Sequence, residues 1–412
     1  MRRWWSVAIV AFALAWHVAV VASPAWTSVA PDQSGRDFAS YYYAVRVAGD
    51  GGDPWKRGAL GAEAREDATR RGVHPFLYPP PFLATVWWTS AMQLGPAFHA
   101  WFWLDEIFAL AAALALWRAW RGLGPWIGAL VALVGALMTA VPNNHAMGQA
   151  NFLPLALVCA AWWAEEEDEP LFAGALVGIA CMLKMSPALY VVVWLAQRKW
   201  RQVGAAVGVA VLVSLLTLPL VGPAHQLRFF VEVLPTFSSG GYNGLGVPIN
   251  LFGNHSFPNL VDRVFPGDRF GLAPTARWIS TAFALVSVTA LAWGFRHPTP
   301  DPLARAARAG AVGVLLLLVP VYTYEHHLVW AFPAAIAAIV AILSGRLPEW
   351  VAALVGAAVA ILAFDLDILR EITTLHKHTL LASFTAEAKT GALVVLLGVN
   401  AWLGGRRLGS RP

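Results

Sequence analysis

The sequence predicts an all-α integral membrane protein, a polytopic helical bundle, and three observations carry that prediction. Of its 412 residues 58% are hydrophobic and only 13% are charged, and the mean hydropathy is +0.58. The apolar residues come in long runs rather than the short alternating segments of a β-barrel, and helices satisfy every backbone polar group inside lipid. The 21 tryptophans cluster near run ends, as in Trp4-Trp5, Trp87-Trp88 and Trp162-Trp163, where indole rings anchor at a membrane interface. The net charge of +5 fits cytoplasmic loops better than nucleic acid, because no basic stripe is interleaved with exposed aromatics. Cys159 and Cys181 fall inside apolar runs, which suits neither a disulfide framework nor a metal site.

Met1-Arg2-Arg3 precedes an apolar run from Trp4 to Ala22. That run exceeds the roughly 7–15-residue core of a signal peptide, so it reads as a first span with a cytoplasmic N-terminus. Residues 23–80 then form a long outer loop. In it Gly49-Asp50-Gly51-Gly52-Asp53-Pro54-Trp55 is turn-rich, and the charged stretch from Lys56 to Arg71 reads as solvated surface. His74-Pro75-Phe76-Leu77-Tyr78-Pro79-Pro80-Pro81 is a stiff entry into the next helix, where proline loses nothing because first-turn amides are unpaired. Helices follow at 81–95, 98–117, 125–142 and 148–164. Two full spans across 81–117 would place Arg118 and Arg121 outside, against the positive-inside bias, so either one of them is re-entrant or this loop is an exception. Two short pieces, 171–183 and 187–197, meet at Lys184-Met185-Ser186-Pro187 as a hairpin turning inside the membrane. Arg198-Lys199-Trp200-Arg201 marks the cytoplasmic side, and 203–221 leads to a second outer loop, 222–275. Further spans fall at 276–295, 309–324, 327–344, 349–366 and 389–403. The expectation is a single domain, 1–412, with about 12 membrane segments and no inverted repeat in the spacing.

Four places hold polar residues that a lipid-facing helix would not keep. Asp37 stands in Gly35-Arg36-Asp37-Phe38-Ala39-Ser40-Tyr41-Tyr42-Tyr43, at the membrane edge among aromatics. A lone acid after a helix is commonly just solvated, but a carboxylate here is also placed to take a proton from a hydroxyl at the bilayer surface. Asn143-Asn144-His145-Ala146-Met147-Gly148-Gln149-Ala150-Asn151 lies at a helix junction, where its amides either cap two helices or bind sugar hydroxyls. Lys184 near the bilayer centre costs about 2.5–3.5 kcal/mol on insertion scales. It either snorkels to an interface or lines a cavity of broken backbone suited to a phosphate. Tyr322-Thr323-Tyr324-Glu325-His326-His327 sits where one helix meets the next. Zinc needs a third ligand that no spacing supplies, so no metal is expected. A cavity-facing histidine, with Glu325 orienting its ring, is the reading. His376 and His378 lie in another outer loop, 367–388, and Asn254-His255-Ser256 matches a weak glycosylation pattern. Gly-rich phosphate loops, serine nucleophile elbows and kinase signatures are absent.

These motifs, in order, make the chain resemble glycosyltransferase family 87, the polyprenyl-phosphate-mannose-dependent mannosyltransferases of the GT-C membrane fold. The resemblance rests on Asp37 with Tyr41 and Tyr42, then Gly52-Asp53-Pro54-Trp55, then Tyr78-Pro79-Pro80. It continues with Gly148-Gln149 and Asn151, Lys184 and Pro187 ahead of a basic stretch, Asn254 and Ser256, and Glu325-His326.

The resemblance implies an inverting hexosyl transfer, most simply of mannose, from a polyprenyl-phosphate donor to a glycolipid or lipid-linked glycan at the extracytoplasmic face of the plasma membrane. Asp37 would be the general base, its pKa raised by partial desolvation. Lys184, an outer-loop arginine or His326 would stabilise the departing phosphate. Arg36, Tyr41, Tyr78, Gln149, Asn151, Lys184, Asn254, Glu325 and His327 are the expected substrate contacts, with Tyr242, Asn243 and Asn250 shaping the acceptor side. Either His326 or His327 faces the cavity. No cofactor is implied, and the partners are donor, acceptor and membrane lipids. A carrier or flippase of lipid-linked sugars would use the same cavity without chemistry.

Overall fold

A computed structural model of the chain describes residues 3–22, 35–56, 58–67, 73–235, 249, 251–268, 271–364, 366–375 and 380–406. Tyr242, Asn243, Asn250, His376 and His378 lie outside the described residues. Helices dominate, and among the described residues the only β-pairing is one isolated bridge, Asp268 to Gly271. Among the described residues six helices are long and apolar enough to cross a bilayer, or eight if each of two bent pairs is one span. The chain is therefore a polytopic helical membrane protein.

About 12 membrane segments are expected from the sequence, and fewer of the described helices reach full spanning length because several apolar runs fold into short helices. The expected 81–95 span is a seven-residue helix, Pro80–Val86, continued by a 3-10 turn, Trp87–Ala91. Seven residues reach about 10 Å, a third of a bilayer core. The next helix, Leu94–Trp120, is 27 residues long, ample to cross alone. Arg118 and Arg121 therefore lie at the far end of a single candidate span from the 35–86 segment, so two full spans across 81–117 are not needed.

At the Arg121 end the helices are tied by ion pairs. Arg121 meets Glu167 at 2.8 Å, Arg305 meets Glu166 at 2.6 Å and Arg346 meets Asp301 at 2.9 Å, while Lys199 pairs with Glu165. The opposite end carries the polar loops.

Between these ends the 94–120, 152–166, 170–183 and 200–216 helices pack in succession. Close approach is possible because of glycine. A Cβ on Gly174 would lie 2.3 Å from the carbonyl oxygen of Gln202, and one on Gly178 would lie 2.5 Å from that of Ala206, the small-xxx-small contact of membrane helices. A second group forms around Pro302–Leu318, which is buried along almost its whole length against 332–343 and 380–405. The outer faces of Trp200–Leu216 and Pro274–Phe295 stay apolar and exposed, with Leu216 and Val286 each 68% exposed, as lipid contact requires.

The predicted 125–142 helix is broken into Ile127–Leu137 and Ala140–Met147, bent by 59°. The break falls at Met138, which is extended. Pro142, four residues on, has no amide to offer the Met138 carbonyl, and its ring would strike it.

Candidate active site

The polar segments on either side of the apolar helices contain helices of their own. Arg36–Gly49 is a helix, with Gly35 before it in the left-handed conformation (φ 72°). Asp37 occupies its first turn, where the helix dipole favours a negative charge. Gly148 ends the Ala140–Met147 helix at φ 66°, and a Cβ there would lie 2.6 Å from the Cβ of Phe38. That contact presses Gln149 against Asp37.

Both oxygens of Asp37 are engaged. His74 Nδ1 lies 2.7 Å from Oδ1, and Gln149 Nε2 donates to Oδ2 at 2.7 Å. Gln149 is held in turn: its Oε1 accepts from the Tyr78 hydroxyl at 2.6 Å, and the Tyr41 hydroxyl lies 2.7 Å from that of Tyr78. The tyrosines pack edge-on at 4.9 Å between centroids, and Phe82 stacks on Tyr78.

The sequence reading expects a raised pKa for Asp37, and the structure reverses it. Burial does raise it. The hydrogen bond from His74, the charges of His326 and His74, and the bond from Gln149 outweigh burial and hold the carboxyl below its ordinary value. The same hydrogen bond raises His74 against the opposing effect of its own burial.

Lys184 ends the Pro170–Leu183 helix, at the expected hairpin turn. Its Nζ donates to Asn151 Oδ1 at 2.5 Å and lies 5.9 Å from the Tyr78 ring centre. Asn151 Nδ2 bonds the backbone carbonyl of His326 at 3.0 Å, so Lys184, Asn151 and His326 form one cluster. His326 is buried, and its Nε2 has no hydrogen-bond partner. His327 instead turns Nδ1 to the backbone amide of Tyr324 at 3.0 Å, capping its own turn. Of the pair, His326 is the more buried and keeps an unpartnered Nε2, while His327 spends Nδ1 on its own turn. Arg36 is exposed.

Glu325 does not orient the His326 ring. It is 3% exposed, and its Oε1 accepts from Lys389 at 2.5 Å and Thr139 at 2.6 Å, while Oε2 lies 3.2 Å from His255 Nε2. Asn254 is likewise consumed internally. Its amide donates to the carbonyls of Ile249 and Val321, and its oxygen accepts from the amides of Ser256 and Thr323. Both residues tie the Asn254–His255 stretch to the 321–325 segment that leads into His326. Asp53 caps its own turn through the Trp55 amide at 2.9 Å and pairs with Arg228, while the Trp55 indole holds the Tyr78 carbonyl at 3.1 Å.

His74 is the site residue that the sequence reading passed over. A histidine two residues before the aromatic-proline run carries no spacing signal, and only the fold places it on Asp37.

Residues 76–320 match the profile of Glycosyltransferase family 87. The chain belongs to that family. Similar curated proteins include a polyprenol-phosphate-mannose-dependent alpha-(1-2)-phosphatidylinositol pentamannoside mannosyltransferase of Mycolicibacterium smegmatis. It is 28% identical over 325 residues, 77% of this chain and 72% of that protein. The Mycobacterium tuberculosis protein of the same name is 28% identical over 333 residues, 77% of this chain and 70% of its own. A polyprenol-phosphate-mannose-dependent alpha-(1-2)-phosphatidylinositol mannoside mannosyltransferase of M. smegmatis is 26% identical over 269 residues, 63% of this chain and 55% of that protein. This chain is a membrane glycosyltransferase of family 87. The family match covers Tyr78, Gln149, Asn151, Lys184 and Asn254 but not Asp37, Glu325, His326 or His327, so the reading of Asp37 rests on geometry.

Proposed function

We propose that this protein transfers mannose from a polyprenyl-phosphate donor to a mannosylated phosphatidylinositol or similar glycolipid, at the extracytoplasmic face of the cytoplasmic membrane and with inversion. The names of the relatives support the donor and the acceptor class. The observation that carries the mechanism is the buried Asp37 carboxylate, kept ionised by His74 and Gln149, with Lys184 and His326 grouped nearby.

An acceptor hydroxyl attacks the anomeric carbon of mannose, and the bond from that carbon to the phosphate oxygen breaks. The hydroxyl proton passes to Asp37. Each carboxylate oxygen has a second lone pair, so its bonds to His74 and Gln149 leave room to accept. The bonding electrons leave with the polyprenyl phosphate, whose charge Lys184 Nζ and His326 Nε2 would meet. Glu325 and Asn254 act as positioning residues, since their polar atoms bond other parts of the protein.

The test is an assay in membranes with radiolabelled polyprenyl-phosphate-mannose, comparing wild type with Asp37→Asn and resolving the lipid products. General-base loss predicts a fall in turnover of about 10²–10⁴-fold, with donor binding retained. Equal turnover in both would remove Asp37 from the chemistry.

A further inference from the structure

Behind the candidate site lies a second polar cluster, inside the helical bundle. His17 comes from the first helix, Asp105 and Glu106 from Leu94–Trp120, and His145 from Ala140–Met147. His17 Nε2 lies 3.0 and 2.9 Å from the two oxygens of Glu106, and His145 Nε2 lies 3.4 Å from Glu106 Oε1. One ligand atom from each of His17, Glu106 and His145 falls within 4.8 Å of the others. A tetrahedral zinc ion, with bonds of about 2.0–2.2 Å, needs ligand atoms about 3.3 Å apart.

His145 supplies an independent indication. Its side chain is 0% exposed, yet its Nε2 has no aligned hydrogen bond from the protein and only Glu106 Oε1 nearby, at 3.4 Å. A buried imidazole does not ordinarily leave a ring nitrogen unsatisfied. Asp105 Oδ2 stands 2.9 Å from Nδ1, on the side where metal-binding histidines commonly have a supporting carboxylate. Asp105 is itself fixed by Asn144 Nδ2 at 2.7 Å. Glu106 and Asp105 together carry the charge that balances a divalent ion, so the pocket needs no protonated histidine to be neutral.

We propose that His17, Glu106 and His145 bind one zinc ion, with Asp105 supporting His145 and water completing the coordination from the less buried His17 and Glu106 side. Two imidazoles and a carboxylate without thiolate suit zinc at a site with an open position. The ion has a bracing role. From Asp105 the contacts run through Asn144 to Asn151, and from Asn151 to Lys184 and the His326 carbonyl. The ion would therefore fix the first helix to the strut that holds the phosphate-facing groups.

The experiment measures metal content on tag-free protein in lipid nanodiscs by plasma mass spectrometry, after dialysis against zinc and gel filtration. Thermal unfolding is followed with and without a strong chelator. One equivalent of zinc is expected in wild type and its loss in His17→Gln and Glu106→Gln, with a chelator-induced fall in melting temperature in wild type only. Wild-type protein that melts cooperatively but holds no zinc and ignores the chelator would overturn the proposal. So would full zinc retention in both variants. If a variant does not fold, the wild-type metal content and chelator response still decide the matter.

Discussion

At the scale of single residues, the Asp37–His74 pair makes the sharpest predictions. His74 is the leading attractive contribution to the depressed pKa of Asp37. Replacing it with Gln removes that charge and leaves burial to dominate, so the acid limb of the turnover–pH profile should move to higher pH. An unmoved limb would mean that His74 does not tune the base. The pair also links stability to pH in two directions. The lowered Asp37 pKa adds stability above the unfolded carboxylate value, and this is lost as pH falls through the folded value. The raised His74 pKa adds stability below the unfolded imidazole value, and this is lost as pH rises through its folded one. Much of this site was legible beforehand. Asp37, Tyr41, Tyr78, Gln149, Asn151, Lys184 and His326 could be singled out because each breaks an apolar or proline-marked context. The direction of the Asp37 shift was not legible, because it depends on a partner 37 positions away in the chain. His17, Glu106 and His145 were hidden for the same reason: they belong to three helices, and no local spacing unites them.

At the scale of elements, hydropathy located the helices but not their breaks. The 81–95 run stops being α-helical after Val86 and tightens into a 3-10 turn. The Thr85 hydroxyl bonds the Phe82 carbonyl, the Trp88 indole that of Thr85 and the Ser90 hydroxyl that of Trp87. Such side-chain bonds compete with the helix ladder, and an apolarity window does not register them. Pro142 was visible in the sequence, but the bend it causes at Met138 depends on where the second half can dock. That half is held by Thr139, which bonds Glu325. The Glu325–Lys389 pair is the fastening of the second helix group. Its two side chains are 4% and 0% exposed. Glu325→Gln strands a buried ammonium and should cost about 3–5 kcal/mol, seen as a large drop in melting temperature in detergent. A double variant, Glu325→Gln with Lys389→Met, should recover most of the loss. If it melts no higher than the single variant, the pair is not what fastens these helices. In the first helix group, Gly178→Leu should separate 170–183 from 200–216, lowering the yield of folded protein.

At the scale of the whole molecule, the proposed function puts the charged end and the Asp37 end on opposite sides of the membrane. An impermeant maleimide added to intact cells should label a cysteine placed at exposed Arg36 but not one at exposed Arg121. The native cysteines are both buried, so the background is low. Labelling of both positions, or the reverse pattern, would invert the proposed orientation. The short Pro170–Leu183 helix has a further consequence. Its 14 residues rise about 21 Å, against a hydrocarbon core of about 30 Å, so in the proposed orientation Lys184 lies below the level of the lipid headgroups. Under the proposed function, substrates that meet it there arrive sideways, by diffusion in the plane of the bilayer. For such an enzyme the governing concentration is a surface density. Diluting donor and acceptor with inert phospholipid should slow turnover at constant bulk concentration, whereas adding more buffer to the same vesicles should change nothing.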